Sequence, residues 1–234
     1  MTSSAIQKIG TASKLRKVLL ICGIVSSLLY FSMDIVAGLL TEGYSFTSQA
    51  ISELSAIGAP ATPMWVPLGF VYAALLIAFG VGVWVIAGSQ RRALRVIGGL
   101  LIALAVVGSL PFPMHMRGDE KTFTDTMHLV IYGLIVPPLF MLSMGLGAVA
   151  YKGKKRWFSL YSVGTIVTLL VVGVLTGLSA VQIDAQQATP WVGVTERILV
   201  HGSMLWIAVL ALVLLREEID RRAMLKGSSQ HMAP

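Results

Sequence analysis

The sequence predicts an all-α polytopic membrane protein with six transmembrane helices and both termini cytoplasmic. Three observations carry that prediction. The 234 residues are 56% hydrophobic and only 12% charged, against about 25% charged in an ordinary globular protein. The apolar residues gather into runs of about 18 or more, the length that crosses a ~30 Å hydrocarbon core as helix. The basic residues fall in short clusters between alternate runs. Unpaired backbone in lipid is too costly for anything but helices or closed barrels, and these runs lack barrel alternation.

The first run, about 18–40, follows Lys8, Lys14, Arg16 and Lys17. It exceeds the apolar core of a cleaved signal peptide, about 7–15 residues, so it reads as a retained helix. Further runs lie near 66–87, 96–113, 127–150, 158–180 and 198–215, all in one membrane domain. Residues 222–234, with His231, read as a flexible tail. Within the runs, Gly173 with Gly177 and Gly99 with Ala103 are small-residue pairs expected to let backbones approach. Pro137 and Pro138 predict a kink in the fourth helix. Cys22 is the single cysteine, so no intramolecular disulfide forms, and it reads as packing.

Orientation follows from Lys and Arg. Fifteen of the 18 fall at the N-terminus, at 91–95, at 152–156 and at 216–226; only Arg117, Lys121 and Arg197 fall on the alternate side. That pattern places the protein in a cytoplasmic membrane with both ends inside. Asp34, Glu42, Glu53, Asp119, Glu120, Asp125, Asp184 and Glu196, with His115, His128 and His201, then lie on or near the outer face. The topology rule concerns Lys and Arg, so it does not by itself gather carboxylates and histidines there.

Asp34 is the one charge well inside an apolar run, roughly 9 Å from its outer end by helical rise. A carboxylate at such depth costs ~2.5–3.5 kcal/mol on insertion scales, so it is expected to face a partner or a cavity, with Tyr30 and Ser27 on the same face. The loop that follows, GYSFTSQAISELSAIGAPATP, predicts a short outer-face helix over 48–57. Ser48, Ser52 and Ser55 would share one face and Ile51, Leu54 and Ile57 another. In PFPMHMRGDEKTFTDTMHLVIYG, Asp125 either caps the fourth helix or orients the His128 ring. Arg197 and His201, four apart, share a face of the last helix, with Glu196 turned partly away. His115, His128 and His201 would suffice for zinc or another divalent metal with an open position; the alternative is a hydrogen-bonded polar network.

Three stretches, SFTSQAISELSAIGAP, PMHMRG…TDTMHLV and GVTERILVHGSMLWIAVLAL, resemble in that order the prokaryotic multi-pass membrane proteins grouped as domain of unknown function 998. The resemblance implies about six helices in a cytoplasmic membrane and brings no established activity. Ser48, Ser52, Glu53, His115, Arg117, Asp125, His128, Glu196 and Arg197 are its matching polar positions. Asp34 and His201 rest on the reading of the residues alone.

Two function classes fit. One is a membrane-embedded hydrolase or transferase acting on a lipid-like substrate. In it, Asp34, Ser48 and Glu53 are catalytic, the three histidines hold the metal, and Ser52, Arg117, Asp125, Glu196 and Arg197 bind. The other is a non-catalytic binder of a lipid or amphiphile, or a small transporter using Asp34 and the broken fourth helix. The scarcity of polar residues in the inner halves of the helices opposes transport. Nucleic acid is excluded as a partner, because topology and anionic headgroups account for the basic clusters.

Overall fold

The computed structural model describes the backbone of residues 3–185 and 187–230, and the side chains of 11–183, 185 and 187–224. His231 lies outside the described residues. The architecture is all-helical. Helix α1 spans Ser3–Leu40, α2 Thr62–Ala87 and α3 Arg92–Val107. Helix α4, Phe123–His128, continues through a π-helical segment, Leu129–Ile135, into α5, Val136–Tyr151. Helices α6, Arg156–Asp184, and α7, Val192–Gln230, follow. Five of these rods are long and apolar enough to cross a membrane: α1, α2, the α4–α5 rod, α6 and α7. The protein is a multi-pass membrane protein.

The third apolar run departs from expectation. Helix α3 is 16 residues long and ends at Val107, six short of the expected 113. Pro111 and Pro113 lack a donor and disfavour helix in the residue before them, so the chain leaves the helix ahead of both. The last helix runs the other way, continuing to Gln230 through the segment read as a tail.

The helices close into a ring in which each packs on its sequence neighbour, α3 meets α5, and α7 returns to α1. The tightest approach joins α2 to α3. A Cβ on Gly80 would stand 2.8 Å from the Gly98 carbonyl, and one on Gly98 2.7 Å from that of Gly80. This is where small residues bring backbones together in lipid. The expected pair Gly173 and Gly177 does not do so: nothing lies within 4 Å of Gly177, and only Leu199 lies near Gly173. The core between the helices holds Phe79, Leu101, Tyr151, Phe158, Trp206 and Leu210.

Just before Pro137 and Pro138, where a kink is expected, the rod is π-helical. Both prolines lack the N–H that Gly133 and Leu134 would receive in an α-helix. The backbone shifts its pairing, and Val136 N–H donates to the Ile131 carbonyl.

Helices α1 and α7 run antiparallel, held at three depths. Asp34 meets Arg197, Ser27 Oγ donates to the Met204 carbonyl at 2.8 Å, and Arg16 meets Glu218 at 3.0 Å. Beside that last pair, Arg91 binds Glu217 at 2.8 Å and the Tyr151 hydroxyl at 3.0 Å, and Arg221 also pairs with Glu218. The bundle therefore has two polar ends, an ion-paired one and a looped one.

Candidate functional site

The looped end is built on Asp34. Its side chain is 1% exposed on α1, and Arg197 of α7 takes both its oxygens, Nε to Oδ2 at 3.0 Å and Nη2 to Oδ1 at 2.8 Å. The rest of that guanidinium is spent on the 41–50 loop and the first turn of α7. Nη1 donates to the carbonyls of Phe46 (2.8 Å), Gly193 (3.1 Å) and Gln49 (3.2 Å), and Nη2 to the Tyr44 hydroxyl at 2.8 Å. The planar fork also lies over the Phe46 ring, 4.7 Å from its centroid. Tyr44 donates onward to the Ala50 carbonyl at 2.8 Å. Burial pushes the Tyr44 hydroxyl up from 10.0 to about 12, so it keeps its proton.

The loop fits only because two glycines make room. A Cβ on Gly193 would stand 2.4 Å from the Gln49 carbonyl and 2.5 Å from that of Phe46. One on Gly38 would stand 2.4 Å from Phe46 Cζ. In return, the Thr47 carbonyl accepts from Gly193 N–H at 2.9 Å and caps the start of α7.

The expected helix over 48–57 is a single 3-10 turn, Ile51–Ser55. Its start is set by Glu53, whose Oε1 accepts from Ala50 N–H at 2.9 Å, and by Glu196, whose Oε2 accepts from Ile51 N–H at 2.6 Å. Ser52 also bonds Glu196. Glu196 thus reaches the cap from beside the Arg197–His201 face. Ile51 and Leu54 are buried against Met33, Ala37 and Trp65, so they face the bundle, whereas Ile57 is exposed. Ile57 instead extends the cap to the third loop, its N–H donating to the Met114 carbonyl at 2.8 Å.

Arg117, from that third loop, closes the second charged pair. Its Nε and Nη2 reach Glu53 Oε1 at 3.0 and 2.7 Å, Nη1 reaches Thr189 Oγ1 at 2.9 Å, and Nη2 the Ser48 carbonyl at 3.1 Å. Ser48 therefore enters the network through its backbone. Asp125 is neither the N-cap nor a partner of His128. Thr122 is the N-cap, and Asp125, three residues on, reaches back to Thr122 N–H at 2.8 Å. Its other contacts are to His115, at 2.7 Å to the backbone N–H and 2.8 Å to Nδ1. His128 Nδ1 donates to the Phe112 carbonyl at 2.9 Å.

His201 completes the Asp34 cluster. Its Nε2 lies 3.2 Å from Asp34 Oδ2, outside aligned hydrogen-bond geometry, and has no other polar partner among the described residues. Its ring stacks on Phe31, centroids 4.3 Å apart. The three outer histidines thus answer to three different groups. Among the described residues, no three His, Cys, Asp or Glu stand together as metal ligands.

The structure brings Asp34, Arg197 and His201 into one cluster, and Ser48, Glu53 and Arg117 into a second beside it; Glu196 joins the second through Ile51. His115 and Asp125 form a third pair on the third loop. Sequence reasoning missed Tyr44, Phe46, Thr189, Gly38 and Gly193. The signals available were two aromatics in an otherwise polar loop and a glycine at the first turn of α7. Chemically, Asp34 and Glu53 are each paired with a guanidinium group, which leaves them occupied.

Neither the curated proteins nor the solved structures hold a match to this chain. A family model described as a protein of unknown function, DUF998, matches residues 24–213, from the middle of α1 to the apolar part of α7 and including the whole cap. The chain belongs to the DUF998 family.

Proposed function

We propose that this protein is a non-catalytic binder of a lipid-like amphiphile, crossing the cytoplasmic membrane six times with both termini inside. Helix α3 is the sixth span. At about 24 Å it is short for lipid by itself, but it packs between α2 and α5, which shield its flanks. Its arginines, Arg92 and Arg95, sit at the inner end with the other basic clusters.

The observation that carries the binding reading is His201. An imidazole nitrogen without a hydrogen-bond partner is costly within a membrane, and this one sits where α1 and α7 meet. Phe31 and Ile35 on α1, and Ile198 and Leu205 on α7, are exposed apolar side chains at helical spacing from the same spot. A chain lying along those residues, with its polar head beside the partly exposed His201 ring, would cover this surface. The catalytic reading has less support, because Asp34 has both oxygens on Arg197, and Glu53 has Oε1 on Arg117 and Oε2 on Gln49. A general base needs a free lone pair within reach of its proton.

Mass spectrometry of lipid retained by protein purified in mild detergent tests this. His201→Phe keeps the ring stacked on Phe31 and removes both nitrogens. Wild type is expected to retain a defined amphiphile that the variant loses, with equal thermal unfolding. Equal retention, or release of a cleaved fragment by wild type, would overturn the reading.

A further inference from the structure

The opposite end of the bundle carries a second place where a ligand fits. A cavity of about 230 Å³ opens between the α2–α3 turn and the α5–α6 turn, lined by Gln90, Arg91, Arg92, Leu94, Ala150 and Lys154. Three cations from two loops converge on it, and one carboxylate answers them. Arg91 is held in place by Glu217 at 2.8 Å and by the Tyr151 hydroxyl at 3.0 Å, with its guanidinium over the Tyr151 ring. Arg92 and Lys154 are exposed and form no ion pair among the described residues. Leu94 is fully buried and Ala150 half-buried, so the floor of the cavity is apolar and only its rim is charged.

The depth of the cavity is set by aromatics. Trp84, in the last turn of α2, and Trp157, in the first turn of α6, are both exposed, and Arg95 stacks over Trp84 at 5.0 Å. Exposed tryptophans at helix ends mark the headgroup level of a bilayer. Basic pockets between helices at that level attract anionic headgroups.

We propose that this pocket binds a phosphate-bearing anion, with Arg92 and Lys154 as the mobile contacts and Arg91 as the fixed one. Its apolar floor and headgroup depth favour the phosphate of an anionic phospholipid over a soluble phosphate. The site is independent of the His201 seam and lies at the other end of the same bundle.

Native mass spectrometry of the full chain from phosphatidylcholine nanodiscs doped with phosphatidylglycerol tests the proposal. The pocket variant is Arg92→Gln with Lys154→Gln. The control, Lys152→Gln with Arg156→Gln, removes the same charge from neighbouring positions outside the lining. Wild type and control are expected to retain phosphatidylglycerol, and the pocket variant to retain it on the order of tenfold less. Arg92→Lys with Lys154→Arg should restore retention. Phosphatidylglycerol that resists millimolar inorganic phosphate identifies a lipid headgroup as the ligand, and displacement identifies a soluble phosphate. Equal retention by all variants, or equal loss in pocket variant and control, would overturn the site.

Discussion

Arg197 grips Asp34 with both arms of its guanidinium, at 3.0 and 2.8 Å, across the seam between the first and last helices. The two residues are 163 positions apart, and Asp34 is 1% exposed. Water is excluded there, so each charge depends on the other. The same guanidinium reaches up to two loop carbonyls, the Gly193 carbonyl of α7 and one tyrosine. One side chain therefore joins the bundle to its cap.

Removing one partner strands a buried charge. Asp34→Ala should lower stability by about 3–5 kcal/mol, whereas Asp34→Leu combined with Arg197→Met should recover most of it. The Arg117 guanidinium is 31% exposed, so Arg117→Lys should cost about 1 kcal/mol or less. Denaturant unfolding in mild detergent measures all three. Asp34→Ala unfolding like wild type would mean the pair does not hold the helices together.

Gly193→Ala and Gly38→Ala should detach the cap without breaking the bundle. Each places a Cβ about 2.4 Å from loop atoms, backbone carbonyls at Gly193 and the Phe46 ring at Gly38. The clash at Gly193 is the harder to relieve, because a carbonyl moves less freely than a ring. Losses of about 1–3 kcal/mol are expected, with faster proteolysis confined to the loop after α1. Cleavage rates matching wild type would show that the loop has room to shift.

The path from sequence to this cap was partly open. Asp34 demanded a partner because a lone carboxylate in an apolar run is costly. Arg197 and His201 were legible as one helix face, and both do meet Asp34. What could not be read was rotation. Helices that are apolar all round carry no stripe to say which side faces inward. That is why the contact of Glu196 with Ile51 was not legible, and why Asp125, which reads as a cap or a partner of His128, is found holding His115. The five helices long and apolar enough to span were legible from run length; the remaining run, α3, stops short where two prolines override hydrophobicity. The loop helix failed because Glu53 and Glu196 bind the N–H groups of Ala50 and Ile51 and start the turn late.

Tyr44 gives the cap a pH signature. Its hydroxyl is pushed up from 10.0 to about 12 by burial, so the folded state favours the protonated form. Its contribution to stability is fully present below pH 10 and is lost as pH rises through about 12. Tyr44→Phe should be less stable than wild type at neutral pH by about 1–2 kcal/mol, and that gap should close across this window. A gap that stays constant to pH 12 would mean that burial does not hold the hydroxyl protonated in the folded state.

The six-span topology predicts opposite labelling of two loops. With Cys22 replaced by Ser, Glu120→Cys should react with an impermeant maleimide on intact cells, and Ser89→Cys, at the other end of α3, only after the membrane is opened. Labelling of both from outside would rule out α3 as a span.

The most direct test of amphiphile binding is a photo-crosslinking phenylalanine analogue at position 31, whose ring stacks on His201. A ligand in the α1–α7 seam predicts crosslinking to one lipid species, abolished by His201→Phe. A spread of bulk lipids that is the same with and without His201 would contradict it.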